Sequence, residues 1–92
     1  MKNPVNDRHE VQIDGVDVIV TGQTGKVHAT WTLLIDGNEV DSAKAAGDFV
    51  LRGDLPNGPE VKAEVHQGLM GPTRVVVLRG DKEIARFQGF VA

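Results

Sequence analysis

Glu10-Val11-Gln12-Ile13-Asp14-Gly15-Val16-Asp17-Val18 alternates polar and apolar residues on both sides of an Asp-Gly dipeptide. A period of two marks strands with one buried face, and Asp-Gly is among the strongest short hairpin signals. With Asp14-Gly15 as a two-residue loop, Ile13 faces Val16 and Val11 faces Val18. Both pairs then lie on one face of the ribbon, so turn chemistry and hydrophobic register agree.

The same grammar runs outward from this hairpin. After the flexible connection Thr21-Gly22-Gln23-Thr24-Gly25, residues Val27, Ala29, Trp31, Leu33 and Ile35 alternate with Lys26, His28, Thr30 and Thr32. Asp36-Gly37 turns this strand, and a two-residue loop there pairs Leu33 with Val40 and Leu34 with Glu39. A longer loop that takes in Asn38 is the alternative register. Residues 41–47 read either as one helical turn capped by Asp41 or Ser42 and ended by Gly47, or as a strand end and a loop. Asp48–Arg52 reads as a strand with Phe49 and Leu51 inward, and Asp54-Leu55-Pro56-Asn57-Gly58-Pro59 as a turn. Val61, Ala63 and Val65 alternate with Lys62, Glu64 and His66. The last hairpin runs from Thr73 through Gly80-Asp81 to Phe87, with Val75-Val76-Val77-Leu78 as a centrally placed apolar run. Gln88-Gly89 breaks the pattern, and Phe90-Val91 offers a further short strand.

About seven strands with turn signals every 8–12 residues predict an all-β fold: a small antiparallel β-sandwich or roll joined mainly by hairpins. Residues 1–8 carry no periodicity and read as a flexible leader, leaving 9–92 as a single β domain. The expected core is Val11, Ile13, Val18, Trp31, Leu33, Ile35, Val40, Phe49, Leu51, Val61, Val65, Val77 and Phe87. Ile19, Leu34, Val50 and one of Val76 or Val77 fall on outer faces. Either a second sheet covers them or they form an interface, and a sandwich with both sheets covered is the simpler account. Leu34-Ile35-Asp36-Gly37-Asn38-Glu39-Val40 is echoed by Val77-Leu78-Arg79-Gly80-Asp81-Lys82-Glu83-Ile84, which two hairpins of one type produce by convergence.

Composition narrows the function classes. Thirteen acids and ten bases give a formal charge of −3, with the signs interspersed. That speaks against nucleic acid or an anionic membrane as partner, because both require a concentrated basic face. No cysteine is present, which excludes disulfides, thiolate catalysis and cysteine-bound zinc, and points to a reducing, cytoplasmic setting. No stretch approaches the roughly 18–20 apolar residues of a membrane helix, and the N-terminal residues lack the apolar centre of a signal peptide.

Trp31-Thr32-Leu33-Leu34-Ile35-Asp36-Gly37-Asn38-Glu39-Val40 resembles hairpins of the Fas apoptotic inhibitory molecule family, an all-β, non-enzymatic group. The resemblance covers about ten residues, implies a β-hairpin there and carries no site residue with it.

Candidate chemistry is sparse. Gly22-Gln23-Thr24-Gly25-Lys26 matches the end of a phosphate-binding loop, but Val20 stands where the first glycine belongs, Val27 follows the lysine, and a strand follows in place of a helix. His9, His28 and His66 share no metal-ligand spacing; His28 and His66 point away from the core, whereas His9 has the parity of Val11. Asp14, Asp36 and Asp81 sit in turns, and Ser42, the single serine, lies in nothing resembling a nucleophile elbow. The sequence therefore predicts no enzyme, cofactor or metal centre.

The leading expectation is a non-catalytic protein-interaction or accessory module, with a protein partner or a homodimer. Its candidate contact is the loop Gly68-Leu69-Met70-Gly71-Pro72, whose Leu69, Met70 and Pro72 supply apolar surface between strands. Leu69 and Met70 either form an exposed, adaptable tip or fold inward to plug one end of the sandwich, the plug being the simpler account in a small domain. The alternative is a small apolar ligand bound in a pocket near Trp31, the sole tryptophan, whose other reading is a core anchor.

Overall fold

In the computed structural model, residues 6–23, 28–44, 47–67 and 73–89 are described. They form eight antiparallel strands: β1 (Asn6–Ile13), β2 (Val16–Gln23), β3 (Thr30–Ile35), β4 (Asn38–Lys44), β5 (Phe49–Asp54), β6 (Glu60–His66), β7 (Thr73–Arg79) and β8 (Lys82–Gly89). The first four form one meandering sheet in the order β1-β2-β3-β4, and the last four form a second in the order β5-β6-β7-β8. The sheets stack with β4 beside β5 at one side and β1 beside β8 at the other. A shortest dimension of 18 Å fits two layers with one shared core. The expected all-β hairpin sandwich is present, with eight strands.

Turn chemistry sets the hairpins. Asp14 and Gly15 have φ of 54° and 77°, and Asp36 and Gly37 have 54° and 80°. Positive φ at both central residues is the type I′ pattern, whose twist matches that of the flanking strands. The register is Ile13↔Val16 and Val11↔Val18, as turn and periodicity require. The ladder continues past the hydrophobic pattern to Arg8↔Thr21, Asp7↔Gly22 and Asn6↔Gln23. Asn6–Arg8, read above as leader, therefore belong to β1; the backbone of β2 offers partners there whatever the side chains. At the other end of the chain Gln88 and Gly89 stay in β8, opposite Arg74 and Thr73. The proposed Phe90-Val91 strand lies outside the described residues. Of the two readings of 41–47, the strand end is the one observed, with β4 running to Lys44.

The core is the expected one with informative exceptions. Ile13, Val18, Trp31, Leu33, Ile35, Leu51, Val61, Val65 and Val77 are buried, while Val11, Phe49 and Phe87 are half-buried and pack against them. Val20, Val75 and Ala63 complete the inner faces, and Leu55, from the β5–β6 loop, is buried too. Val40 is a correction: it is 41% exposed. The β3–β4 ladder runs Ile35↔Asn38, Leu34↔Glu39 and then Leu33↔Asp41, so Val40 is the extra residue of a β-bulge. A bulge shifts the inward phase by one, and Asp41 takes the place facing Leu33. The β7–β8 hairpin repeats the device, since Leu78 pairs with Glu83 and Val77 with Ala85, leaving Ile84 as the extra residue.

The outer faces are a second correction, because no third layer covers them among the described residues. Ile19 and Val76 are nevertheless buried. Val76 lies between Glu64 and Arg86 on the neighbouring strands, and Ile19 between Glu10 and Leu34. Long side chains beside an apolar residue cover it with their stems while their charged ends stay in water.

Candidate functional site

Stacking two open sheets leaves edge strands, and an edge strand presents unpaired backbone groups that another chain can use. At the β4–β5 edge the bulge decides what is presented. It carries Val40 against Gly53 of β5 and directs Asp41 across the gap. The Asp41 carboxylate accepts from the Arg52 backbone N–H at 2.9 Å through Oδ2 and from the Ser42 N–H at 2.8 Å through Oδ1. One side chain thus caps an edge amide of β5 where a strand would otherwise pair. Among the described residues the exposed large apolar side chains are Val40 (41%) and Val50 (38%), and they lie on these two edge strands. Arg52, with Glu60 at 3.8 Å, adds a charged border.

The end of the sandwich where β6 finishes is organised around Trp31. The indole is fully buried. Its Nε1–H donates to Gln67 Oε1 at 3.2 Å, and Gln67 Nε2 donates to the Gly47 carbonyl at 3.1 Å. This relay ties β3 to the residue after β6 and to the segment before β5. The ring lies over Gly22 on β2. Trp31 is thus a core anchor, with no ring surface open to a ligand. Leu69, Met70 and Pro72 lie outside the described residues, as do residues 24–27 of the phosphate-loop-like stretch; Gly22 and Gln23 are the last residues of β2.

The histidines occupy three unrelated settings. His28 is exposed. His66 sits between Asp48 (Nδ1 to Oδ2, 3.5 Å) and Glu64 (Nε2 to Oε1, 3.5 Å). His9 stacks on Phe87 of β8, with ring centroids 4.8 Å apart and planes inclined by 15°. Among the described residues no group of three His, Cys, Asp or Glu side chains is placed to hold a metal ion.

At the opposite end Asp14 clasps the two sheets. Its Oδ2 accepts from Arg79 Nε at 2.8 Å and from Asn57 Nδ2 at 3.0 Å. These two hydrogen bonds, with the Arg79 charge, hold the Asp14 carboxyl below its ordinary range. Arg86 does the same for Glu83 on the outer face of β8.

Sequence reasoning missed the β4–β5 edge because it placed Val40 in the core. A signal was present: apolar residues at Val40 and Ala43 are out of phase, as a bulge between them requires. No family model, curated protein or solved structure matches the chain. Among the described residues no helix is long and apolar enough to cross a membrane.

Proposed function

We propose that this protein is a non-catalytic interaction module that binds a protein partner, or a second copy of itself, through its β4–β5 edge. The observation that carries this reading is the placement of Val40 and Val50, the exposed large apolar side chains among the described residues, on the two adjoining edge strands. Two exposed valines on the adjoining edge strands, bordered by Arg52 and Glu60, have the makeup of a small protein contact. The loop residues Leu69, Met70 and Pro72 are a second candidate contact. The absence of cysteine supports a cytoplasmic setting, and the interspersed charge supports a protein partner over nucleic acid.

Sedimentation across a concentration series, with affinity capture from cell extract, tests the reading. We expect either a concentration-dependent dimer or a captured protein, lost in Val40→Asp/Val50→Asp and retained in Thr21→Asp on the outer face of β2. Loss in Leu69→Asp or Met70→Asp instead would move the contact to the loop. A monomer at all concentrations, together with no captured protein that depends on these positions, would overturn the proposal.

A further inference from the structure

We propose that His9 is an acid-sensitive latch on the seam between β1 and β8, holding the two sheets closed when neutral and releasing that edge when protonated. Three observations carry this. First, no backbone ladder joins β1 to β8, because the two strands belong to different sheets. Second, side chains make the contact: His9 stacks on Phe87, and Asp7 packs against Gly89. Third, His9 Nε2 is buried and has no hydrogen-bond partner.

The chemistry of imidazole turns the third observation into a switch. A neutral ring can carry its proton on Nδ1 and leave only a lone pair at Nε2. The cation must place an N–H at both nitrogens, and the buried one then points at no acceptor. The surroundings offer little compensation. From β2, His9 faces Val20, flanked by Val18 and Gly22; from β8 it faces Phe87, flanked by Ala85 and Gly89; behind them on β7 lie Thr73 and Val75. Arg8 and Glu10 alternate to the outer face and pair with each other at 2.8 Å, and Arg86 on the outer face of β8 pairs with Glu83. Asp7 is the charged group on His9's own face, and it favours the cation. Burial outweighs it and pushes the His9 pKa below the ordinary 6.5. The folded protein therefore binds fewer protons at this site than the unfolded chain. Stability from His9 is complete above the ordinary value and is lost as pH falls through the folded one.

The test is an imidazole NMR titration of the full chain, with amide exchange corrected for its intrinsic pH dependence. We expect His9 to titrate below 6.5. Over the same interval, protection in β1 and β8, and in the β2 and β7 amides that bond to them, should fall about tenfold, while β3, β6 and the β2 and β7 amides that bond away from the seam keep theirs. His9→Phe, which retains a ring on Phe87 but carries no proton, should hold protection flat, and a His28→Gln/His66→Gln variant should respond as the wild type does. An undiminished response in His9→Phe would overturn the proposal. So would a wild-type His9 that titrates at or above the ordinary value, a reading that needs no variant to fold, or a loss of protection spread evenly over all strands.

Discussion

The Cα of Gly22 lies directly beneath the indole of Trp31: a Cβ built at Gly22 would sit 2.7 Å from two carbons of the ring. The two residues are cross-strand neighbours on β2 and β3. The glycine is a recess into which the largest core side chain fits, and the ring covers the backbone that the glycine leaves bare. Because Trp31 is fully buried and its Nε1 is held by Gln67, it cannot step aside. Gly22→Ala should therefore lower stability by about 1–3 kcal/mol through overpacking, read by urea denaturation with Trp31 fluorescence.

A second close approach, at Gly53, involves one half-exposed neighbour and one buried one. A Cβ at Gly53 would sit 2.5 Å from Val40 Cγ2 and 3.0 Å from Cδ1 of the buried Ile35, while Val40 is 41% exposed. Gly53→Ala should destabilise the protein, and adding Val40→Ala should restore part of the loss. A double-mutant cycle should return a coupling of about 0.5–1 kcal/mol, and simple additivity would show that the two residues do not press on each other.

Gln67 joins Trp31 Nε1–H to the Gly47 carbonyl. Gln67→Met preserves length but removes both hydrogen bonds, leaving a buried indole N–H without its acceptor. A loss of about 1–3 kcal/mol is expected in chemical denaturation. Near-ultraviolet circular dichroism should report a less fixed Trp31.

The clasp at Asp14 predicts a pH dependence with a definite sign. Its carboxyl is held below the ordinary value of 3.8 by Asn57 and Arg79, so the folded state binds fewer protons there than the unfolded chain. The stability it contributes is complete above the ordinary value and disappears as pH falls through the folded one. Asp14→Asn retains tolerance of the positive φ of 54° and removes the titration. Thermal melts between neutral and strongly acidic pH should give a shallower acid limb in the variant, with the Glu83–Arg86 contribution still present.

The hairpins were legible because two independent signals coincide in them. At Asp14-Gly15 the turn residues and the alternation of Val11, Ile13, Val16 and Val18 demand one register, and that register is observed. At Asp36-Gly37 the turn was equally plain, but extrapolating the alternation put Val40 inside. A bulge is a change of phase, and a reading that assumes constant phase passes over it. The cue was in the residues on the return strands, where Val40 is followed by Ala43, and adjacent Ile84 and Ala85 are followed by Phe87. His9 was legible as inward-facing from its parity with Val11. Its partner was not, because Phe87 comes from the far end of the chain and only the stacking of the sheets brings them together. The Trp31–Gln67–Gly47 relay escaped for the same reason, since local periodicity carries no information about which loop reaches which ring.

Each sheet draws its strands from one half of the sequence, 6–44 and 49–89, and every strand bonds to its immediate successor or predecessor. All the ladders can therefore zip outward from short turns at small loop-closure entropy. The one event that must gather remote segments is the clapping together of two finished leaves, and the expected kinetics are fast for an all-β chain of this size. Substitutions at the hairpin turns should slow refolding, whereas those at the β1–β8 and β4–β5 margins should chiefly hasten unfolding.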